Sequence, residues 1–215
     1  MRALLALVLL TTVAHAEPQD ELTFGSQLRA LRASSAQALT SDDYVGGQLV
    51  YGRRLVLAIP LASDVQWWGT AAFGWGGATG EMFQTLTTDI SAYVFTVGGH
   101  ARYAPYSHLA LSAGLDVGSQ HAALTLTDHN GRTASDGGWG VLAKLSIAAD
   151  LLAYDGPGFS FGLRAELGYV KASGVALTPT SPHDDSTLSI AMTSASIGHL
   201  DLGGPTFGIG AIARF

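Results

Sequence analysis

From Phe159 to Tyr169 the chain alternates without a fault. Phe159, Phe161, Leu163, Ala165, Leu167 and Tyr169 fill one set of positions, and Ser160, Gly162, Arg164, Glu166 and Gly168 fill the other. A period of two places successive side chains on opposite faces of a strand, whereas a helix repeats about every 3.6 residues. The same split recurs over Tyr93 to Tyr103, Leu109 to Val117 and Trp139 to Leu151. It is weaker over Leu22 to Ala30, over Val45 to Leu55 (where Arg53 breaks the apolar face) and over Trp67 to Gly77. Phe207, Ile209, Ala211, Ala213 and Phe215 end the chain against Gly208, Gly210 and Arg214. The pattern predicts eight strands of roughly 9 to 13 residues, close to the 9–11 or so that cross a bilayer when tilted.

A soluble sandwich or lipocalin also alternates, so the character of the two faces decides. The polar face is rich in glycine and carries few charges of mixed sign: Arg29, Arg54, Arg102, Asp116, Lys144, Asp150, Arg164, Glu166 and Arg214. A solvated outer surface normally carries many Lys and Glu, and this chain has two lysines. The charges suit a narrow lumen in which they pair, with the apolar face turned to lipid. The connections agree. Those expected at one end are short, roughly Leu57 to Gln66, Ala104 to Ser107 and Ala153 to Gly158. Those at the other end are long and polar, roughly Ala33 to Asp43, Ala78 to Asp89, His121 to Gly137 and Ser173 to Gly203. Outer-membrane barrels show this asymmetry. Aromatics fall into two predicted belts, the girdles expected at membrane interfaces. Trp75, Tyr93, Phe95, Trp139, Tyr169 and Phe207 take the long-loop ends, and Phe24, Trp67, Tyr103, Phe159, Phe161 and Phe215 the short-turn ends.

Residues 1–16 read as a cleaved export signal. Arg2 is the positive start, Ala3 to Val13 the apolar run, and Ala14-His15-Ala16 a small-x-small cleavage site. The run is far short of the roughly 20 residues of a spanning helix. Cleavage after Ala16 leaves residues 17–215 as the barrel and removes Arg2 but no acid, taking the net charge from −6 to −7. Composition narrows the class further. Of 215 residues, 47% are hydrophobic and 13% charged, the latter about half the roughly 25% usual in soluble domains. Eleven Lys and Arg against 17 Asp and Glu leave no basic stripe for a nucleic acid. The apolar content excludes disorder, and the absence of cysteine excludes disulfide staples and a lipid-anchoring cysteine.

With its terminal PTFGIGAIARF, apolar at each second position back from Phe215 to Phe207, the chain resembles the small eight-stranded outer-membrane β-barrels of Gram-negative bacteria, the OmpX and OmpA type. The resemblance covers nearly all of residues 22 to 215 as a pattern. It implies an all-β, antiparallel, up-and-down transmembrane barrel of eight strands in the outer membrane, surrounded by lipid and lipopolysaccharide. It also implies that Phe215 is part of the signal read by the barrel assembly machinery. It implies no particular activity, because the fold hosts adhesins, structural proteins, channels and lipid-modifying enzymes.

Eight strands enclose an interior just wide enough for side chains to fill, so the charged lumen residues are expected to form a paired plug. The function expected is structural or surface-interacting, with a ligand met through the outer loops. A small-solute channel, a lipid A-modifying rim enzyme and a soluble periplasmic lipocalin-like binder are the alternatives. An enzyme needs a nucleophile, a base and an orienting acid. Ser119 and His121, with Asp136, are the candidates, although Ser119-Gln120-His121 reverses the His-x-Ser order that the deacylases resemble. Ser196, His199 and Asp201 form a second, unspaced set. Asp42-Asp43, Asp128-His129 and His183-Asp184-Asp185 match no metal-ligand spacing, and no cofactor motif is present.

Overall fold

The structure, a computed structural model, describes residues 18–56, 64–82, 86–179 and 198–215. Eight strands close into a ring: β1 (Asp20–Arg29), β2 (Tyr44–Leu55), β3 (Val65–Met82), β4 (Leu86–Tyr106), β5 (Leu109–Asp128), β6 (Thr133–Gly156), β7 (Phe159–Ala172) and β10 (Gly204–Arg214). Their order around the ring is β1-β10-β7-β6-β5-β4-β3-β2, every pair antiparallel. Each strand therefore pairs with the next barrel strand in sequence, an up-and-down barrel that leaves no open edge around the ring. A one-turn helix, α1 (Ser34–Gln37), lies between β1 and β2. The short strands β8 (Val175–Leu177) and β9 (Gly198–Leu200) pair with each other outside the ring.

The register fixes the barrel's shape. Paired residues followed from Ser160 pass through Arg214, Glu21, Gly52, Thr70, Gly98, Asp116 and Lys144. They return to the same strand at Val170, ten residues further on. A stagger of this kind requires strands tilted by roughly 35–45° to the barrel axis. The tilt explains one departure from the expected belts. Phe24 and Trp75 belong to opposite expected belts, yet their ring centroids lie 6.2 Å apart. A residue two strands away in a tilted sheet sits at a different height from its position within its own strand.

The exterior is the apolar face. Phe24, Val97, Val117, Leu145, Leu163 and Ile209 are all exposed on it, and an aqueous surface would not leave so many large apolar side chains in one contiguous band. That band is a transmembrane belt.

The strands differ most from expectation at the long-loop end. The segments 78–89 and 121–137, expected as loops, are largely strand: β3 runs to Met82, β4 starts at Leu86, β5 runs to Asp128 and β6 starts at Thr133. These four strands hold 18 to 24 residues each, longer than a crossing needs. The turns at the other end are shorter than expected, with β4 and β5 separated only by residues 107–108 and β6 and β7 by 157–158.

The reason is an inversion of the faces. On β4 the outward residues Tyr93, Phe95 and Val97 are apolar, while Asp89 and Ser91 further along the same face are polar and exposed. On the inward face Thr96, His100 and Arg102 are polar, while Ile90 and Ala92 are apolar and buried. Beyond the lipid, water lies outside and protein inside, so the hydrophobic pattern changes sign while the strand continues.

Candidate functional site

The lumen is filled in layers. At the short-turn end three arginines surround two carboxylates. Arg102 Nη2 donates to Glu21 Oε2 at 2.5 Å and lies 3.7 Å from Asp150 Oδ2. Arg164 donates through Nε and Nη2 to the two Asp150 oxygens at 2.6 and 3.1 Å, and its Nη1 reaches Thr23 Oγ1 at 3.3 Å. Arg214 Nη2 donates to Asp150 Oδ2 at 2.5 Å. Trp68, buried and inward-facing, lies under the Arg102 guanidinium with its ring centroid 4.3 Å from Cζ. Isolated charges in such a place would be strongly penalised, and shared charge-assisted hydrogen bonds offset the loss of water.

Above this layer Asp116 Oδ1 accepts from the Thr70 hydroxyl at 2.9 Å and lies 3.1 Å from His100 Nε2. Lys144 Nζ lies 2.5 Å from Glu166 Oε1. Asp116, His100, Lys144 and Glu166 border a cavity of about 40 Å³ that Gln27, Arg29, Gln48 and Thr96 also line.

The long-loop end is shut by an apolar cap. Leu31, Ala36 and Leu39, from the segment carrying α1, meet Val175 and Leu177 of β8, Leu200 of β9 and Leu202, all buried. The inverted walls complete it with Tyr44, Ala78, Ile90, Ala92, Ala122 and Leu124. Backbone and hydroxyl groups tie the cap down. Thr40 Oγ1 donates to the Thr79 carbonyl and Thr88 Oγ1 to the Leu39 carbonyl. Ser173 and Val141 exchange bonds at 2.8 and 2.9 Å, so the segment entering β8 follows the upper edge of β6.

The predicted charged set thus divides. Arg102, Asp150, Arg164 and Arg214 share one cluster, Lys144 pairs with Glu166, and Asp116 faces His100. Arg54 is half-buried near the short-turn end of β2. Arg29 departs from the expected pairing altogether. It is buried, donates to the Leu202 carbonyl at 3.1 Å and lies over the Tyr44 ring at 5.1 Å, with no carboxylate bridged to it among the described residues. Sequence reasoning missed Glu21, which closes the largest cluster. It shares parity with Thr23, Gln27 and Arg29 on β1, and that signal was masked by the acidic run before it. Phe215 is held at the strand seam, its N–H donating to the Asp20 carbonyl at 2.9 Å and its own carbonyl accepting from Asp20 N at 2.9 Å.

The rim residues do not assemble. Ser119 and His121 face outward, paired with Val141 and Trp139, and the His121 ring stands edge-on to Trp139 at 5.1 Å. Asp136 pairs with Leu124, which is buried inside, so it belongs to the opposite face. Its carboxylate accepts from Thr178 N at 2.5 Å and Gly137 N at 2.8 Å. Ser196, His183, Asp184 and Asp185 lie outside the described residues, as do residues 1–16. No grouping of three metal-ligating side chains occurs among the described residues.

No protein-family model matches the sequence, and no curated protein matches it. Solved structures do match in fold. The attachment invasion locus protein Ail of Yersinia pestis aligns with a TM-score of 0.52 at 13% identity, over 93% of this chain and 100% of that one. A second structure of Ail, in complex with the heparin analogue sucrose octasulfate, gives 0.51 at 16% identity, over 93% and 100%. A major outer membrane protein of Thermus thermophilus gives 0.53 at 14% identity, over 91% and 99%. The chain has the fold of small outer-membrane β-barrels, and its apolar exterior is that of a membrane-spanning barrel.

Proposed function

We propose that this chain is exported by cleavage after Ala16 and inserted with Phe215 as its terminal assembly signal. In this reading it works as a closed, non-conducting surface barrel that meets other molecules through its outer end. The observation that carries the reading is the double closure of the lumen. The ionic layer around Glu21 and Asp150 blocks one end and the apolar cap around Leu39 and Leu202 the other. Between them remains a cavity of about 40 Å³, room for only a few waters at the roughly 10–15 Å³ of probe volume each requires.

The outer end is built for contact. Four strands extend beyond the belt, and their outward rows carry Thr79, Asp89, Thr125 and Ser135 in register. Asp42, Asp43, Glu81, Asp128 and Asp201 add acid there, against Arg32, Arg132 and Lys171. The partner this charge favours is cationic or uncharged, unlike the heparin analogue found in complex with Ail.

Three measurements test the reading. Purified protein in planar bilayers is expected to give no steady conductance; sustained single-channel steps would overturn the closed barrel. Expressing cells are expected to adhere to target surfaces in a way that soluble polycations compete and heparin does not. Competition by heparin alone would overturn the charge assignment. Lipid A of unchanged mass in the same cells is the expected companion result.

A further inference from the structure

We propose that the closed lumen holds a small inorganic anion of the halide class, bound by Arg29. Arg29 is 2% exposed and stands at the upper wall of the cavity. Its Nη1 is used by the Leu202 carbonyl, but its Nε is buried without a hydrogen-bond partner. No carboxylate pairs with it among the described residues, whereas the other buried cations each have one: Arg102, Arg164 and Arg214 have Asp150, and Lys144 has Glu166. A buried cation without a counter-charge is strongly disfavoured unless something of opposite sign accompanies it.

The surroundings supply uncharged hydrogen-bond donors. Thr206 is the register partner of Arg29 on β10, and its hydroxyl is also buried and unpartnered. The cavity itself is lined by Gln27 and Gln48, with Arg29. Its two carboxylates, Asp116 and Glu166, are at hydrogen-bond distance from His100 and Thr70, and from Lys144. The volume of about 40 Å³ admits a monatomic anion with a water or two, at roughly 10–15 Å³ of probe volume per water. It is too small for a sugar, a nucleotide or a peptide. The cavity lies beneath the cap, so the ion enters as the barrel closes.

The protein is refolded into detergent micelles in chloride, in bromide or in gluconate at matched ionic strength. Expected is a higher heat-shift midpoint in chloride and bromide than in gluconate. Arg29→Gln loses that difference, and Arg29→Lys retains part of it. Crystals of the bromide-refolded protein are expected to show an anomalous peak within hydrogen-bond reach of Arg29 Nε, a reading that does not depend on the variants folding. Equal midpoints in all three salts, a halide effect that persists in Arg29→Gln, or a site occupied by water alone would each overturn the proposal.

Discussion

Glu21 and Asp150 stand on strands that do not pair, yet the same three arginines lie within 4 Å of both. For Arg102, Arg164 and Arg214 the distances are 2.5, 3.5 and 3.5 Å to Glu21 and 3.7, 2.6 and 2.5 Å to Asp150. The contributors come from β1, β4, β6, β7 and β10, so this cluster links five of the eight ring strands across the lumen. Glu21 and Arg214 lie at opposite ends of the sequence, and the members can all meet only once the ring has closed.

Asp150→Asn leaves three buried arginines to share one carboxylate. Breaking a buried pair costs about 3–5 kcal/mol, and the expected loss is at the upper end because Asp150 serves three cations. Glu166→Gln, which frees Lys144 alone, is expected to cost less. Urea midpoints of the refolded barrel, read from the boiled and unboiled gel bands, give both values. Equal midpoints for the two variants would remove the special standing of Asp150.

The face inversion on β4 and β5 assigns a boundary that substitution can map. An arginine at Val97 or Val117, on the lipid-facing belt, is expected to cost about 2–4 kcal/mol. Thr125→Arg, outward on the same β5 face but beyond the belt, is expected to be close to neutral. Equilibrium unfolding in lipid vesicles distinguishes them. A large cost at Thr125 would extend the belt upward by several residues.

The ring was legible in the sequence because lipid turns the usual rule inside out, leaving an apolar set broken only at Arg53 beside a glycine-rich polar set with few, mixed-sign charges. Strand ends were not legible, since the alternation over Ala78 to Asp89 and His121 to Gly137 changes sign and looks like polar loop. The cap was invisible for another reason. Leu31, Leu39, Leu177, Leu200 and Leu202 sit in stretches too short to show a sustained period, and only the fold brings them together. Glu21 carried a parity signal with Thr23 and Gln27 that could have placed it inside.

Adjacent glycines on β4 are expected to behave oppositely. A Cβ at Gly98 would run into the Leu115 carbonyl oxygen and lie 2.8 Å from the Asp116 Cα, neighbouring backbone that cannot move alone. Overpacking of this kind costs about 1–3 kcal/mol, and the same Cβ would press on the Asp116 carboxylate. At Gly99 the nearest atom is 4.0 Å away, so Gly99→Ala is expected to be neutral or to stabilise by about 0.4–1 kcal/mol through the unfolded chain. A destabilised Gly99→Ala with a tolerant Gly98 would reverse the assigned faces.

The β5–β6 turn is expected to loosen in acid. Asp128 Oδ1 accepts from the Asn130 and Arg132 amides at 2.8 Å each, and the Arg132 amide foremost holds this exposed carboxyl below its ordinary value. A carboxyl depressed in the folded state stabilises it above the unfolded value of about 3.9, and that contribution disappears as pH falls through the lower folded value. The protection of the Arg132 amide, relative to its intrinsic exchange rate, is expected to fall in that window and to be independent of pH in Asp128→Asn. Unchanged protection across the window would show that the turn does not depend on this charge.

The two seals lie in series, which gives a sharper expectation than either alone. Leu39 is 1% exposed in the cap, and Leu39→Ala removes packing that costs about 2–5 kcal/mol in a buried site. The loss falls on loops outside the ring, so the barrel is expected to keep its gel shift while proteases cut the first loop faster. It is not expected to conduct, because the ionic layer still closes the other end. Asp150→Asn alone loosens that layer beneath an intact cap and is expected to stay silent for the mirrored reason. Only the double variant opens a continuous polar path and should show steady steps in planar bilayers. Conductance in Leu39→Ala alone would mean that the arginine cluster stabilises the wall without sealing the lumen.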